Sequence, residues 1–262
     1  MCGSAIPVRI LSLLITAVFL LSTGCAGKEQ EGPDGRHRED KQTRARLDLA
    51  ERHLIQGENR QAMQQLKKVQ KKDPGIPRLH FDLGLAYTAL GDIPEAIEAY
   101  GRAVELREDY GEAWNNLGQL YLSQGRLDEA EKALHRALDV VTYMTPEKPA
   151  YNLARLWIQK GDRNKALEFA RKSVQENWRF VRGYEMAVDL LQEMGRDEDA
   201  LELLRQGADA APGNTELILK LAESLVRLGD EKEAKEWFRR IEQENPESEQ
   251  AEVARDYLEF LQ

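Results

Sequence analysis

Cysteine is almost missing from this chain: among 262 residues there are two, Cys2 and Cys25. A chain cut before Cys25 keeps a single thiol, which excludes an internal disulfide framework. Long apolar runs are missing too. Residues 10–21 form a stretch of 12, well short of the roughly 20 that a helix needs to cross a bilayer. Positive charge is in deficit, with 37 Lys and Arg against 46 Asp and Glu for a formal net charge of −9. A nucleic-acid partner is therefore not expected.

Chemical signatures are also absent. There is no Gly-x-Ser-x-Gly elbow, no Gly-x-x-x-x-Gly-Lys-Ser/Thr loop, no His-Glu-x-x-His pair and no acidic calcium loop. The four histidines, His37, His53, His80 and His135, are scattered. Acidic residues occur mostly at outward helix positions with basic neighbours, which is the pattern of a solvated surface. No enzyme activity, cofactor or metal site is expected.

What the chain has is repetition. A glycine with an alanine five residues later recurs at Gly57/Ala62, Gly91/Ala96, Gly125/Ala130, Gly161/Ala166, Gly195/Ala200 and Gly229/Ala234, at spacings of 34, 34, 36, 34 and 34. Residues 113–137 show the unit most fully. Trp114, Leu117 and Tyr121 fall at i, i+3 and i+7, one stripe of a helix, and Ala130, Leu134 and Ala137 make the facing stripe of a second. Gly125 suits the left-handed end of the first helix, and Asp92, Asp162 or Asp230 can cap the helix that follows in other copies. Small residues at Gly118 and Ala130 let the two backbones approach.

A period of 34 carrying Trp114, Leu117, Gly118, Tyr121, Gly125, Ala130, Leu134 and Ala137 in this order resembles the tetratricopeptide repeat. The resemblance implies an all-α fold, a right-handed superhelix of six helix pairs at 43–76, 77–110, 111–144, 147–180, 181–214 and 215–248. Stacking buries the face that each pair lacks a partner for. Residues 249–262 place Val253, Tyr257 and Leu261 on one face and are expected to cap the last repeat. His53 and His80 fall in slots that carry core aromatics in other copies, so packing roles are expected for them. Two irregularities stand out. Thr145 and Pro146 are extra residues between repeats three and four, where proline is expected to end the preceding helix. Val188 and Gly207 reverse the usual small and larger volumes of repeat five, which points to local compensation.

The first 24 residues follow a different plan. Arg9, the apolar stretch and Ser22-Thr23-Gly24-Cys25 have the layout of a secretory signal peptide. The ending resembles the bacterial lipobox: Gly24 and Cys25 match, while Ser22 stands where Leu is usual. The resemblance implies cleavage after Gly24 and lipidation of Cys25, a stable anchor when several acyl chains are attached. Ala26, in place of Asp, points by resemblance to enterobacterial sorting to the periplasmic face of the outer membrane. An ordinary cut near Ala26, giving a soluble periplasmic protein, is the alternative. Loss of the leader, with Arg9 as its only charged side chain, takes the net charge from −9 to −10. Residues 26–42 hold nine charged side chains and few apolar ones. With Cys25 they read as a flexible tether reaching roughly 20 to 25 Å.

By resemblance to tetratricopeptide proteins, the second, fifth, sixth, ninth and twelfth slots of each repeat face a concave groove. These slots, or their neighbours, hold Leu47 and Leu54 in repeat one and Phe81 and Leu85 in repeat two. Repeat three supplies Asn115, Asn116, Gln119 and Leu122, and repeat four Lys148, Tyr151, Asn152 and Arg155. The groove is expected to begin apolar and become amide-rich and basic, suiting a peptide with apolar side chains and free main-chain groups. Asn116 and Lys148 match two positions of the family's carboxylate clamp, but Phe81 and Leu85 occupy its decisive Lys and Asn slots, so a terminal-carboxylate adaptor is not implied.

An exported, lipidated chain with six such repeats and a Tyr-, Pro- and Glu-containing joint after the third resembles the type IV pilus biogenesis and stability lipoproteins, the pilotins of the pilus secretin. That resemblance implies a secretin subunit as partner, its delivery to the outer membrane and its multimerisation there. A general envelope scaffold for polysaccharide export or cell-wall machinery, or an accessory subunit regulating an envelope enzyme, would use the same anchor and groove.

Overall fold

The computed structural model describes residues 40–261. The expected leader at 1–24, the lipidated Cys25 and nearly all of the expected tether lie outside the described residues. The tether was expected to run to Gln42, yet the first helix begins at Lys41, two residues sooner. Asp40 accepts hydrogen bonds from the Gln42 and Thr43 amides, both at 2.9 Å, and so starts helix α1 (Lys41–Ile55).

Among the described residues twelve helices pair in sequence, a thirteenth closes the stack, and there is no strand. After α1 come α2 (Asn59–Lys72), α3 (Pro77–Leu90), α4 (Ile93–Leu106), α5 (Gly111–Ser123), α6 (Leu127–Asp139) and α7 (Glu147–Gln159). They are followed by α8 (Arg163–Glu176), α9 (Val181–Glu193), α10 (Asp197–Ala210), α11 (Thr215–Arg227), α12 (Glu231–Glu244) and α13 (Glu249–Phe260). The all-α superhelix of tetratricopeptide repeats is the observed fold.

The six periodic glycines make the turns inside the pairs. Each has φ between 69° and 84°, a region costly for residues with a Cβ. The next amide then reaches back to close the finished helix, as Arg126 N does to the Tyr121 carbonyl at 2.9 Å. Asp162 and Asp230 cap the following helices through the Lys165 and Glu233 amides. Asp92 sits at the equivalent position without such a bond.

Within a pair, small residues set the approach. A Cβ on Gly118 would lie 2.7 Å from Leu134 Cγ, so α5 and α6 meet where only hydrogen fits. Gly84 stands against the Tyr100 ring in the same way, at 2.5 Å. In repeat five the room left by Gly207 is filled by Leu217 and Tyr184, whose atoms lie 2.6 and 3.2 Å from an added Cβ. Between pairs, Tyr87, Tyr121 and Trp157 occupy one recurring slot, and each touches two successive patches of the core. Aromatic side chains at that slot knit the hairpins into a continuous interior.

The joint after repeat three departs from expectation. Pro146 does not end α6, which stops at Asp139 with Val140 extended; it precedes α7 as its N-terminal cap residue. A proline here costs no helical hydrogen bond, since first-turn amides are unpaired anyway. The added chain folds Tyr143 inward, with its ring over Gly111, where a Cβ would meet Tyr143 Cγ at 2.6 Å. At the far end α13 caps the stack. Its buried residues are Ala251 and Ala254, with Val253 and Tyr257 half-buried and Leu261, just past its end, buried as well.

Candidate peptide-binding groove

Three of the five neighbouring pairs of first helices pack on one another, α1 on α3, α5 on α7 and α7 on α9, while no two second helices pack as closely. Closer packing on that side is what a superhelix with its first helices on the concave face requires, and their outward slots make the candidate inner wall.

At the centre of that wall a chain of polar side chains crosses two repeats. Arg155 Nη1 donates to Asn152 Oδ1 at 3.4 Å, and Asn152 Nδ2 donates to Asn115 Oδ1 at 3.0 Å. Asn115 Nδ2 passes on to Asn116 Oδ1 at 3.5 Å, and Asn116 Nδ2 to the Tyr100 hydroxyl at 3.4 Å. Every donor in the line points the same way, from α7 through α5 to α4. Burial pushes the Tyr100 hydroxyl up to about 12, so it stays protonated at neutral pH. Asn115 and Asn152 are nearly enclosed, at 5% and 6% exposure. The groups left for a ligand are half-buried Asn116, Tyr151 and Arg155, with Gln119 and Lys148 exposed beside them.

The apolar entrance expected over repeats one and two is largely taken up by the core. Leu47 is fully buried and does not line the groove; it packs with Ala50, Leu66, Leu79 and Leu83 in the first core patch. Leu54 is half-buried in the same patch, and Leu122 is buried between repeats. Phe81 and Leu85 keep partial exposure. The Phe81 ring lies 4.9 Å from Tyr110 and 5.8 Å from Tyr100, and the Arg107 guanidinium covers the Tyr110 ring at 3.3 Å.

Charge replaces the expected apolar start. Arg78 pairs with Asp48 and Glu51 of α1, each at 2.8 Å, and approaches Asp82 at 3.8 Å. These residues fall in groove slots of repeats one and two, so the repeat register could have found them. A second omission lies in repeat five. A cavity of about 370 Å³ is lined by Tyr151, Ile158, Arg182, Glu185, Met186 and Asp189. Tyr151 is held edge-on to Phe180 with ring centres 5.6 Å apart. Burial, and then the negative charge of Glu216, raise the Glu185 carboxyl above its ordinary range. Asp189 is paired with Lys220 at 2.8 Å.

The histidines within the described residues do not converge. His53 pairs with Glu58 at 2.5 Å, buried His80 contacts the Pro74 carbonyl at 2.7 Å, and exposed His135 meets Phe169 edge-on. Burial lowers the His80 imidazole. Among the described residues no group of three or more His, Cys, Asp or Glu side chains could hold a metal. No helix among them is long and apolar enough to cross a membrane.

Comparison with known proteins agrees with the geometry. Patterns described as TPR repeat or tetratricopeptide repeat match residues 84–125, 111–140 and 191–255. The Caenorhabditis elegans tetratricopeptide repeat-containing protein trd-1 is 26% identical over 168 residues, 64% of this chain and 20% of its own length. The chain spans 20%, 27% and 39% of the lengths of the first curated relatives it matches. Among solved structures, Pseudomonas aeruginosa PilF is similar with a TM-score of 0.65 and 22% identity, covering 83% of this chain and 96% of PilF. PilW, a widely conserved type IV pilus biogenesis factor, gives 0.64 and 19%, covering 82% of this chain and 99% of PilW. The chain thus carries tetratricopeptide repeats and folds as the superhelix that such repeats build in PilF and PilW.

Proposed function

We propose that this protein is a membrane-anchored scaffold that captures an extended segment of another envelope protein in its concave groove, and that its client is a subunit of the type IV pilus secretin. The observation that carries the reading is the polar line from Arg155 to Tyr100. Buried Asn115 and Asn152 fix the line, while Asn116, Gln119 and Arg155 stand where main-chain groups of a bound strand can be satisfied. Phe81 and Leu85 on one side, and Tyr151, Ile158 and Met186 on the other, supply apolar contact. Similarity in fold to PilW, a type IV pilus biogenesis factor, across nearly all of that protein supports looking for the client in the pilus machinery.

In this reading Cys25 carries the lipid, the segment to Glu39 sets the reach, and the protein sits on the periplasmic face of the outer membrane. Holding client subunits at one surface raises their effective concentration, which promotes assembly without any bond being made or broken. The test compares wild type with Gln119→Glu plus Ile158→Glu, two exposed groove positions whose change spares the core. In a strain lacking the chromosomal copy, wild type restores secretin multimers and retains secretin in a pull-down from detergent-solubilised envelope; the variant does neither. A secretin that multimerises normally in the complete absence of the protein overturns the assignment of client. Equal retention by the variant overturns the assignment of surface.

A further inference from the structure

Two successive connections between repeats, residues 140–146 and 177–180, carry apolar side chains that the fold does not use. Val141 is 98% exposed, Met144 84% and Trp178 56%. Their neighbours show that these connections are ordered by packing: Tyr143 is buried over Gly111, and Phe180 meets Tyr151 of α7 edge-on. That contact brings the second connection onto the first turns of the helix that the first connection starts. Both connections join a second helix to the next first helix and so lie on one edge of the stack.

Within the two connections and the first helical turns that they start, the exposed charge is positive. Through 140–148 and 177–182 the exposed charged residues are Lys148, Arg179 and Arg182, and the one acid, Glu147, is buried. Exposed acids flank the two connections at Asp139 and Glu176, the last residues of α6 and α8, and Glu112 of α5 lies near the Tyr143 hydroxyl, in a chain whose formal net charge is −9. The Arg179 guanidinium rests over the Trp178 ring at 4.5 Å. Trp with an apolar body and a polar N–H, beside a cation on a long stem, is the side-chain chemistry of the water–lipid boundary.

We propose that this edge docks on an anionic bilayer surface, with Val141, Met144 and Trp178 entering the headgroup layer and Arg179 facing lipid phosphates beside Lys148 and Arg182, first-turn cations of α7 and α9 that the edge shares with the rim of the groove. The tips project singly from loops, which favours a deformable surface over a protein pocket, and the cations complement anionic headgroups. The proposal does not rest on lipidation of Cys25 or on a peptide in the groove.

The experiment uses the full chain with phosphatidylglycerol vesicles whose acyl chains are brominated, and reads the fluorescence quenched in wild type but not in Trp178→Phe. Because that difference belongs to Trp178, attachment through another part of the chain leaves it unchanged. Wild type is expected to show it, and the apparent vesicle affinity read from it falls at least about tenfold in Val141→Asp plus Met144→Asp. Phosphatidylcholine vesicles or high salt weaken it as well. An unaltered circular dichroism melt shows that the variant is folded. Equal quenching in Trp178→Phe, an unaffected double variant, or equal response to phosphatidylcholine overturns the proposal. So does a solution dimer that the double variant abolishes, which assigns the edge to a second copy of the chain.

Discussion

Asn152 Nδ2 donates to Asn115 Oδ1 at 3.0 Å, and this buried bond joins α7 to α5 across 37 residues of sequence. Each amide satisfies the other where water has little access. Replacing Asn152 by Leu leaves Asn115 Oδ1 without its donor and removes the acceptor of Arg155. The expected loss is about 1 to 3 kcal/mol, read as a lower urea midpoint. Leucine at both positions removes the stranded group and is expected to recover part of the stability, while peptide capture stays lost. A double variant no more stable than Asn152→Leu would show that the bond is not the source of the loss.

Two glycines of repeat three make a second, separable prediction. Gly125 has φ 69° with nothing within 4 Å of an added Cβ, whereas Gly118 faces Leu134 at 2.7 Å. Alanine at Gly125 costs about 1 to 2 kcal/mol through backbone strain alone. Alanine at Gly118 costs about 1 to 3 kcal/mol through overpacking. Leu134→Val should relieve the second and not the first. Thermal melts of the three single variants and of the two combinations with Leu134→Val decide this.

The same contrast explains what could be read from the sequence. Hairpins were legible because their turns require φ above zero, which glycine supplies, and because their crossings require small side chains; both demands recur every 34 residues. The groove was only half legible. A repeat slot fixes the direction of a side chain but not its depth, so Leu47 and Phe81, which share the fifth slot, end with different exposures. Arg78 reaches Asp48 and Glu51 across a repeat boundary, a pairing visible only when two copies are laid side by side. Pro146 was misread because a residue that cannot continue a helix is equally suited to starting one.

At the other end of the fold, Asp40 offers a titration. Lys72 donates to its carboxylate at 2.6 Å, and the Thr43 amide adds a second donor. Together they hold its pKa at about 2, below the ordinary 3.8. A depressed folded value means that the cap's contribution is complete above pH 3.8 and is lost as pH falls through about 2. The Gln42 and Thr43 amide resonances should titrate with that low midpoint. Lys72→Met should move the midpoint upward, and added salt should do so more weakly, because the pair is exposed. A midpoint near 3.8 in the wild-type protein would remove the pairing from the account.

The last helix shows why a stack of repeats needs an end. Phe238 and Ile241 of α12 are buried at 0% and 2% exposure, and the Tyr257 ring of α13 lies parallel to Phe238 with centres 4.8 Å apart. Every earlier second helix has a following repeat to cover it; α12 has only α13. A chain ending at Ser248 therefore presents Phe238 and Ile241 to water, and burying one such side chain is worth about 1.5 to 3 kcal/mol. Lower melting and concentration-dependent aggregation are expected, measured by differential scanning calorimetry and light scattering. Tyr257→Ala in the full chain should lower the melting temperature without aggregation, because Ala251 and Ala254 still seat the cap. Unchanged melting and solubility after truncation would mean that the sixth repeat can end the stack by itself.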